Sequence, residues 1–429
     1  MKILSVIPQE TYKMPIHTKI PKRWTYFVET NSYVKSLGHE IKCMDCLEPS
    51  ISHAEIFKEI AVNHYDVVLI LIRSDGLRNA LNLAKTIKEI AKTKVLAYGD
   101  VPMYANRFLK KYSFDAIIYS GDFECSISDY IQFLEKNKNR EGINGLFILE
   151  EGKWYKTPSG HRMENNLWSL PTYWDKDICS QNIFDIYNNI TDKEITISIG
   201  RGCPFICPYC PAVATFGGKD RRIPPNVVVD YIQDHNGNFR SFKLFCPTFT
   251  LNKEWVKEFC RLMLDGSVKH SWCCTSRVEC LKDEKMIALM AETGCTKVAI
   301  GIETMDKISS EFLGKYTHKN YIQLVVDSFQ LLSKYKIEPK PLMMLGIKGQ
   351  SKTNLIESFK ILRDNGATSI RCASYSPKQI ISDKDQVGTL TIDDVEQLDK
   401  MTYQDVEVDG MTRSEYLELM YTGPSKCYE

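Results

Sequence analysis

No apolar run in this 429-residue chain reaches the roughly 18 residues a membrane helix needs. The opening Met1-Lys2-Ile3-Leu4-Ser5-Val6-Ile7-Pro8 is too short an apolar stretch for a secretory signal, so the reading is of a soluble cytoplasmic protein without a membrane partner. An excess of charge of either sign is also lacking. Lysine and arginine number 55 against 54 aspartates and glutamates, which leaves no global field to recruit nucleic acid or an anionic surface and points to a small-molecule substrate. The 15 cysteines do not space out a short loop-rich scaffold. They are scattered through segments that read as helices and strands, the usage of a reducing compartment.

What is present is an alternation of apolar runs with amphipathic stretches. In residues 1–138 the runs Ile3–Ile7, Ile41–Met44, Val67–Ile72, Val95–Tyr98 and Ala116–Tyr119 are apolar on both faces, and helical patterns such as Ala80–Ala91 and Ile127–Leu134 accompany them. Buried parallel strands joined by covering helices have this pattern, so the region reads as a doubly wound, Rossmann-like α/β domain. Periodicity weakens over 139–192, where Gly145–Lys156 resembles a hairpin turning at Glu150-Glu151-Gly152 and the rest reads as a surface linker. From 193 to 377 the alternation resumes with runs at Ile195–Ile199, Lys243–Phe245, Ser271–Thr275, Lys297–Ile302, Pro341–Leu345 and Ser369–Ala373, six strand–helix repeats of a (βα)6 partial TIM barrel. Residues 378–429 read as a C-terminal helical extension closing one side of the barrel.

Chemistry in such a barrel gathers at the carboxyl ends of the strands. Directly after the first run stands Gly200-Arg201-Gly202-Cys203-Pro204-Phe205-Ile206-Cys207-Pro208-Tyr209-Cys210-Pro211. Cysteines spaced by three and two residues on an irregular, proline-fixed loop can turn their thiolates toward one cubane cluster. Three thiolates leave one iron of a four-iron cluster for an outside ligand. Structural zinc is the competing reading, but zinc sites use paired knuckles with four ligands, and no second cysteine or histidine pair stands at knuckle spacing.

Cys-x3-Cys-x2-Cys with an aromatic residue before the last cysteine resembles the signature of the radical S-adenosylmethionine (SAM) superfamily. Together with Leu170-Pro171, Arg222-Ile223-Pro224-Pro225-Asn226-Val227-Val228, Thr248-Phe249-Thr250-Leu251-Asn252-Lys253 and Gly294-Cys295 through Gly301-Ile302-Glu303, it resembles those members that carry an N-terminal cobalamin-binding-type domain. The resemblance implies that Cys203, Cys207 and Cys210 hold a [4Fe-4S] cluster whose fourth iron binds SAM, with Tyr209 by the adenine. It makes Arg277 a candidate for the SAM carboxylate, the alternative being a surface arginine. Gly301 and Glu303 would contact SAM or order the strand end, the alternative for Glu303 being a buried structural carboxylate, and Met344, within Met343–Gly346, would pack near the adenine or simply belong to a core strand. Relatives often carry an acidic residue where this chain has Phe245-Cys246-Pro247, and Cys246 is either a site thiol or a buried small hydrophobe. Asp-x-His-x-x-Gly occurs nowhere, so axial histidine ligation of cobalt is not supported, although cobalamin itself stays open.

The activity implied is reductive cleavage of SAM to a 5′-deoxyadenosyl radical, with ferredoxin or flavodoxin as electron donor. A cobalamin-dependent methyltransferase acting on an unactivated carbon is the favoured outcome. The alternatives are a cobalamin-independent dehydratase, epimerase or rearrangement enzyme acting on a sugar-like metabolite, and a non-catalytic cobalamin or iron–sulfur sensor. Catalytic residues beyond the cofactor ligands are not readable, because the residues lining a barrel cavity follow no spacing code.

Overall fold

Five apolar runs become the parallel strands β1 (Lys2–Ile7), β2 (Glu40–Asp45), β3 (Val67–Leu71), β4 (Lys94–Tyr98) and β5 (Ala116–Ile118) of the first unit. The computed structural model describes residues 1–10, 16–163, 168–191, 193–207, 209–210, 212–235, 237–315, 321–375, 378–400 and 408–424. All five residues of β3 are buried. Leu4, Val6, Val68, Ile70, Val95 and Ala97 join a core with helix Leu77–Ile90, while the alternating Ile3, Leu69 and Leu96 are buried as well. Both faces are covered, the condition for a parallel sheet, and each such side chain contributes about 1.5–3 kcal/mol of transfer free energy.

Here the boundaries differ from the four-part sequence reading. The hairpin of β6 (Leu146–Glu150) and β7 (Lys153–Lys156) does form, but it extends the first sheet, in the order β2-β1-β3-β4-β5-β6-β7, with β6 antiparallel to β5. The stretch from 168 to 191 is anchored to the same unit and is no free linker. Tyr173 and Tyr187 are fully buried, the Tyr187 hydroxyl donates to Asp45 at 3.1 Å, and Ser180 and Asn182 donate to Glu48. Residues 378–399 belong to this unit too. Ile381, Leu390 and Val395 enter its core, and Asp385 accepts from the backbone N–H groups of Arg107 and Phe108. Among the described residues the later helix Arg413–Thr422 packs against the last barrel strand.

The second unit is built on β8 (Glu194–Ser198), the short β9 (Gly200–Arg201) and β10 (Arg221–Arg222), then β11 (Ser241–Phe245), β12 (Ser271–Ser276), β13 (Cys295–Glu303), β14 (Glu338–Leu345) and β15 (Arg371–Ser374). Six of these form a curled parallel half-barrel in the order β15-β14-β13-β12-β11-β8, matching the six expected runs. Burial alternates along its strands. Trp272, Cys274 and Ser276 are buried, whereas Ser271, Cys273 and Thr275 keep partial exposure. Trp272 packs on Phe249 and on Phe259 of helix Lys253–Asp265, so the buried set faces the helices and the other set lines the concave side. No helix among the described residues is long and apolar enough to cross a membrane.

Candidate active site

The loop carrying the three cysteines is clasped at its roots by β9 and β10, which pair antiparallel so that Arg221 faces Arg201 and Arg222 faces Gly200. Gly202, with φ of 85°, turns the chain through a left-handed conformation just before Cys203, a position that favours glycine. Gly200 is required by close approach, because an added Cβ would lie 2.5 Å from the Cys246 sulfur. Arg222, itself buried, ties the second root down. It donates to Asp220 at 2.9 Å and to the carbonyls of Phe249 and Thr248 at 2.7 and 3.0 Å. Thr248 in turn places its hydroxyl 3.9 Å from the Cys203 sulfur.

Cys203 is buried, Cys207 half-buried and Cys210 exposed, and the Cys210 N–H donates to the Cys207 carbonyl at 3.0 Å. Pro208 and Pro211 lie outside the described residues. Among the described residues no three His, Cys, Asp or Glu side chains converge on one point as around a single ion. A cubane asks for a different arrangement, since each iron takes its own thiolate. Cys203, Cys207 and Cys210, three sulfurs on one short loop, are the residues that would supply those thiolates.

Arg277, at the end of β12, is not a surface arginine. Its Nη1 donates to the Cys207 sulfur at 3.2 Å, its Nε and Nη2 grip Glu279 at 3.3 and 2.8 Å, and its guanidinium lies 4.1 Å from the Phe205 ring center. Burial alone would lower its pKa, but the Glu279 carboxylate and the Cys207 sulfur outweigh burial and raise it. A permanent cation thus stands against one sulfur of the loop.

Glu303 closes β13 in a left-handed conformation, φ 66°, at a register shift between β13 and β14. A non-glycine residue held there costs about 1–2 kcal/mol. Its Oε1 accepts from the Lys315 ammonium at 3.1 Å and from the Tyr209 hydroxyl at 3.3 Å. Buried Lys315 also donates to the Gly301 carbonyl. An added Cβ at Gly301 would meet Glu303 Oε1 at 2.7 Å, so this glycine makes room for the carboxylate. Burial first, and then the Glu303 carboxylate, push the Tyr209 phenol well above its ordinary value, so it stays a neutral donor. The structure thus brings Tyr209, Gly301 and Glu303 together at one strand end. Met344 lies two strand positions below the β14 turn, half-buried on the concave side, with its carbonyl accepting from Gln350 at 2.7 Å. Cys246 is fully buried, and burial pushes its thiol up to about 11, the behaviour of a packed small hydrophobe.

Sequence reasoning missed Lys315, Glu279 and the anchoring role of Arg222. The first two carry no spacing signal; Arg222 lies in a segment that the resemblance singled out without giving it a task.

A parallel half-barrel with a three-cysteine loop after its first strand defines a class, and comparison with known proteins agrees. Residues 197–362 match the Radical SAM superfamily, a domain match that implies a [4Fe-4S] cluster and SAM. It is 24% identical over 370 residues to a protein of Pyrococcus horikoshii named an uncharacterized methyltransferase, covering 85% of this chain and 78% of that one. It is 23% identical over 420 residues to the anaerobic magnesium-protoporphyrin IX monomethyl ester cyclase of Rubrivivax gelatinosus, covering 93% and 72%. In fold it resembles the radical SAM methyltransferase TsrM of Kitasatospora setae, solved with cobalamin and a [4Fe-4S] cluster, with a TM-score of 0.72 at 13% identity over 89% of this chain and 77% of that one.

Proposed function

We propose that this chain is a cobalamin-dependent methyltransferase acting on an unactivated carbon of a small molecule, with Cys203, Cys207 and Cys210 as ligands of the cluster. The observation that supports it most is the pairing, in one chain, of a β2-β1-β3-β4-β5 parallel sheet with a six-stranded half-barrel bearing the cysteine loop. When bound, the cluster supplies the electron that splits SAM into methionine and a 5′-deoxyadenosyl radical, and cobalamin supplies the methyl carrier. Ferredoxin or flavodoxin is the proposed electron source.

This chain's residues then have definite tasks. Arg277, braced by Glu279, donates to the Cys207 sulfur and would fix its position in the loop. Lys315 and Tyr209 fix the Glu303 carboxylate at the strand end, where it would orient SAM donors. Arg222 holds the loop root against the turn that carries Thr248. In the first unit the ligand rim of a doubly wound sheet lies at the carboxyl ends of its strands. Ser74, Asp75, Gly76, Gly99 and Gly121 stand there and would line a bound macrocycle. His161, whose carbonyl accepts from the Asp122 N–H, has its imidazole engaged with Asn144 at 2.6 Å.

A second reading keeps the radical step without methyl transfer, and the relative named as a cyclase favours it. Anaerobic reconstitution of the full chain with cobalamin, SAM and reductant separates the two. Retained corrin absorbance after desalting, with S-adenosylhomocysteine formed, supports methyl transfer; 5′-deoxyadenosine from a protein that retains no corrin leaves the second reading.

A further inference from the structure

The registers of the half-barrel place basic side chains side by side on its concave face. Lys243 lies opposite Cys273, and Cys273 opposite Lys297. Ala299 lies opposite Lys340, and Leu342 opposite Arg371, so Lys297, Lys340 and Arg371 occupy successive diagonal positions of one face. Diagonal neighbours in a sheet stand about 7–8 Å apart, within reach of long side chains. Strands in a barrel are tilted, so a diagonal row of this kind runs across the lumen as a layer.

Two carboxylates share that level. Glu338 lies 3.5 Å from Lys297 and also accepts from Thr368 and Ser369, and Glu194 accepts from the Cys273 thiol at 3.5 Å. Among the described residues Lys243, Lys340 and Arg371 have no ion-pair partner. Burial, followed by the nearby charges of Lys297 and Arg371, lowers the Lys340 pKa. Like charges gathered on a partly buried face cost stability unless something of opposite sign is recognised there.

One strand step toward the carboxyl ends, the same face presents Phe245, Thr275, Ala299, Leu342 and Ala373, all retaining exposure. One step further stand Gly301 and Met344, at the end where Glu303 and Tyr209 meet. The concave face is thus cationic low in the barrel, mainly apolar in the middle and polar at the reactive end.

We infer that the substrate is an amphipathic anion, an apolar body carrying a carboxylate or phosphate ester, bound with its anionic end on Lys243, Lys340 and Arg371 and its body beneath the cysteine loop. This deepens the proposed function and rests on its reading of the chain as a radical enzyme acting on a small molecule. Fluorescence titration of the anaerobically reconstituted full chain tests it with three matched probes: 1-pyrenebutyrate, the phosphate monoester of 1-pyrenebutanol, and neutral 1-pyrenebutanol. At least one anion should bind about tenfold or more tighter than the alcohol, the tighter one naming the end group. The double substitution Lys340→Gln and Arg371→Gln should bring that preference to near unity while leaving affinity for the alcohol unchanged, which shows that the fold is retained. An alcohol that binds as tightly as both anions, or a variant that keeps the preference, overturns the inference. SAM cleavage by the wild-type preparation is read separately, so failure of the radical reading is distinguishable from failure of this one.

Discussion

The two parallel sheets of this molecule differ in what lies on their faces. In the first, β3 is buried at every position. In the second, β12 and β14 are buried only at alternate positions, and the other set carries Cys273, Lys340 and Met344. Both sheets come from strand–helix repeats, but helices cover both faces of the one and only the convex face of the other. The open face is where polar and charged residues can be kept for binding instead of for the core.

That contrast can be broken most forcefully by paired truncations. Leu69→Ala in β3 should cost about 2–5 kcal/mol, whereas Leu342→Ala on the concave face should cost less than about 1.5 kcal/mol, as read from urea midpoints at constant m. Equal losses would mean that the concave face is packed like the first sheet. Next in size is Gly200→Ala, whose Cβ would lie 2.5 Å from the Cys246 sulfur; it should destabilise by about 1–3 kcal/mol. Adding Cys246→Ala should recover part of that loss, and strict additivity in the double mutant would refute the packing role given to Cys246.

Lys315→Met should alter function more than stability. It leaves Glu303 without its ammonium partner, so KM for SAM should rise about tenfold with a smaller change in kcat. An unchanged KM would reduce the Glu303–Lys315 pair to a structural brace. The smallest effect concerns pH. The Lys352 ammonium and, next, the Thr412 N–H pull the Glu415 carboxyl down to about 2. A carboxylate depressed in this way contributes stability that is fully present above its ordinary value near 4.5 and is lost as pH falls through about 2. Glu415→Gln should therefore lower Tm slightly at pH 6 and by progressively less as pH falls toward 2; the same Tm difference across that range would contradict the assignment.

The strand runs were legible in the sequence because apolar length and alternation are local properties, and both sheets follow them. Less legible was where each segment packs. Residues 139–192 and 378–399 lack strong periodicity, and their attachment to the first unit depends on contacts such as Tyr187 with Asp45 and Asp385 with the 107–108 backbone, made far along the chain. In the site, the cysteine spacing and the Gly301-Ile302-Glu303 segment stand out as motifs. Lys315 reaches Glu303 from beyond the strand end, and Arg277 turns to Cys207 across 70 residues, distances that no spacing rule encodes. The cationic layer was invisible for another reason. Lys243, Lys297, Lys340 and Arg371 become neighbours only through strand register.

The central claim is most directly tested by anaerobic reconstitution of the wild-type chain and of Cys207→Ala with iron, sulfide, SAM and dithionite, followed by metal analysis and assay of 5′-deoxyadenosine. The account predicts a four-iron cluster and 5′-deoxyadenosine in the wild type, and loss of both in the variant with little change in Tm. Zinc or no metal in the wild type, or undiminished SAM cleavage by Cys207→Ala, would contradict it.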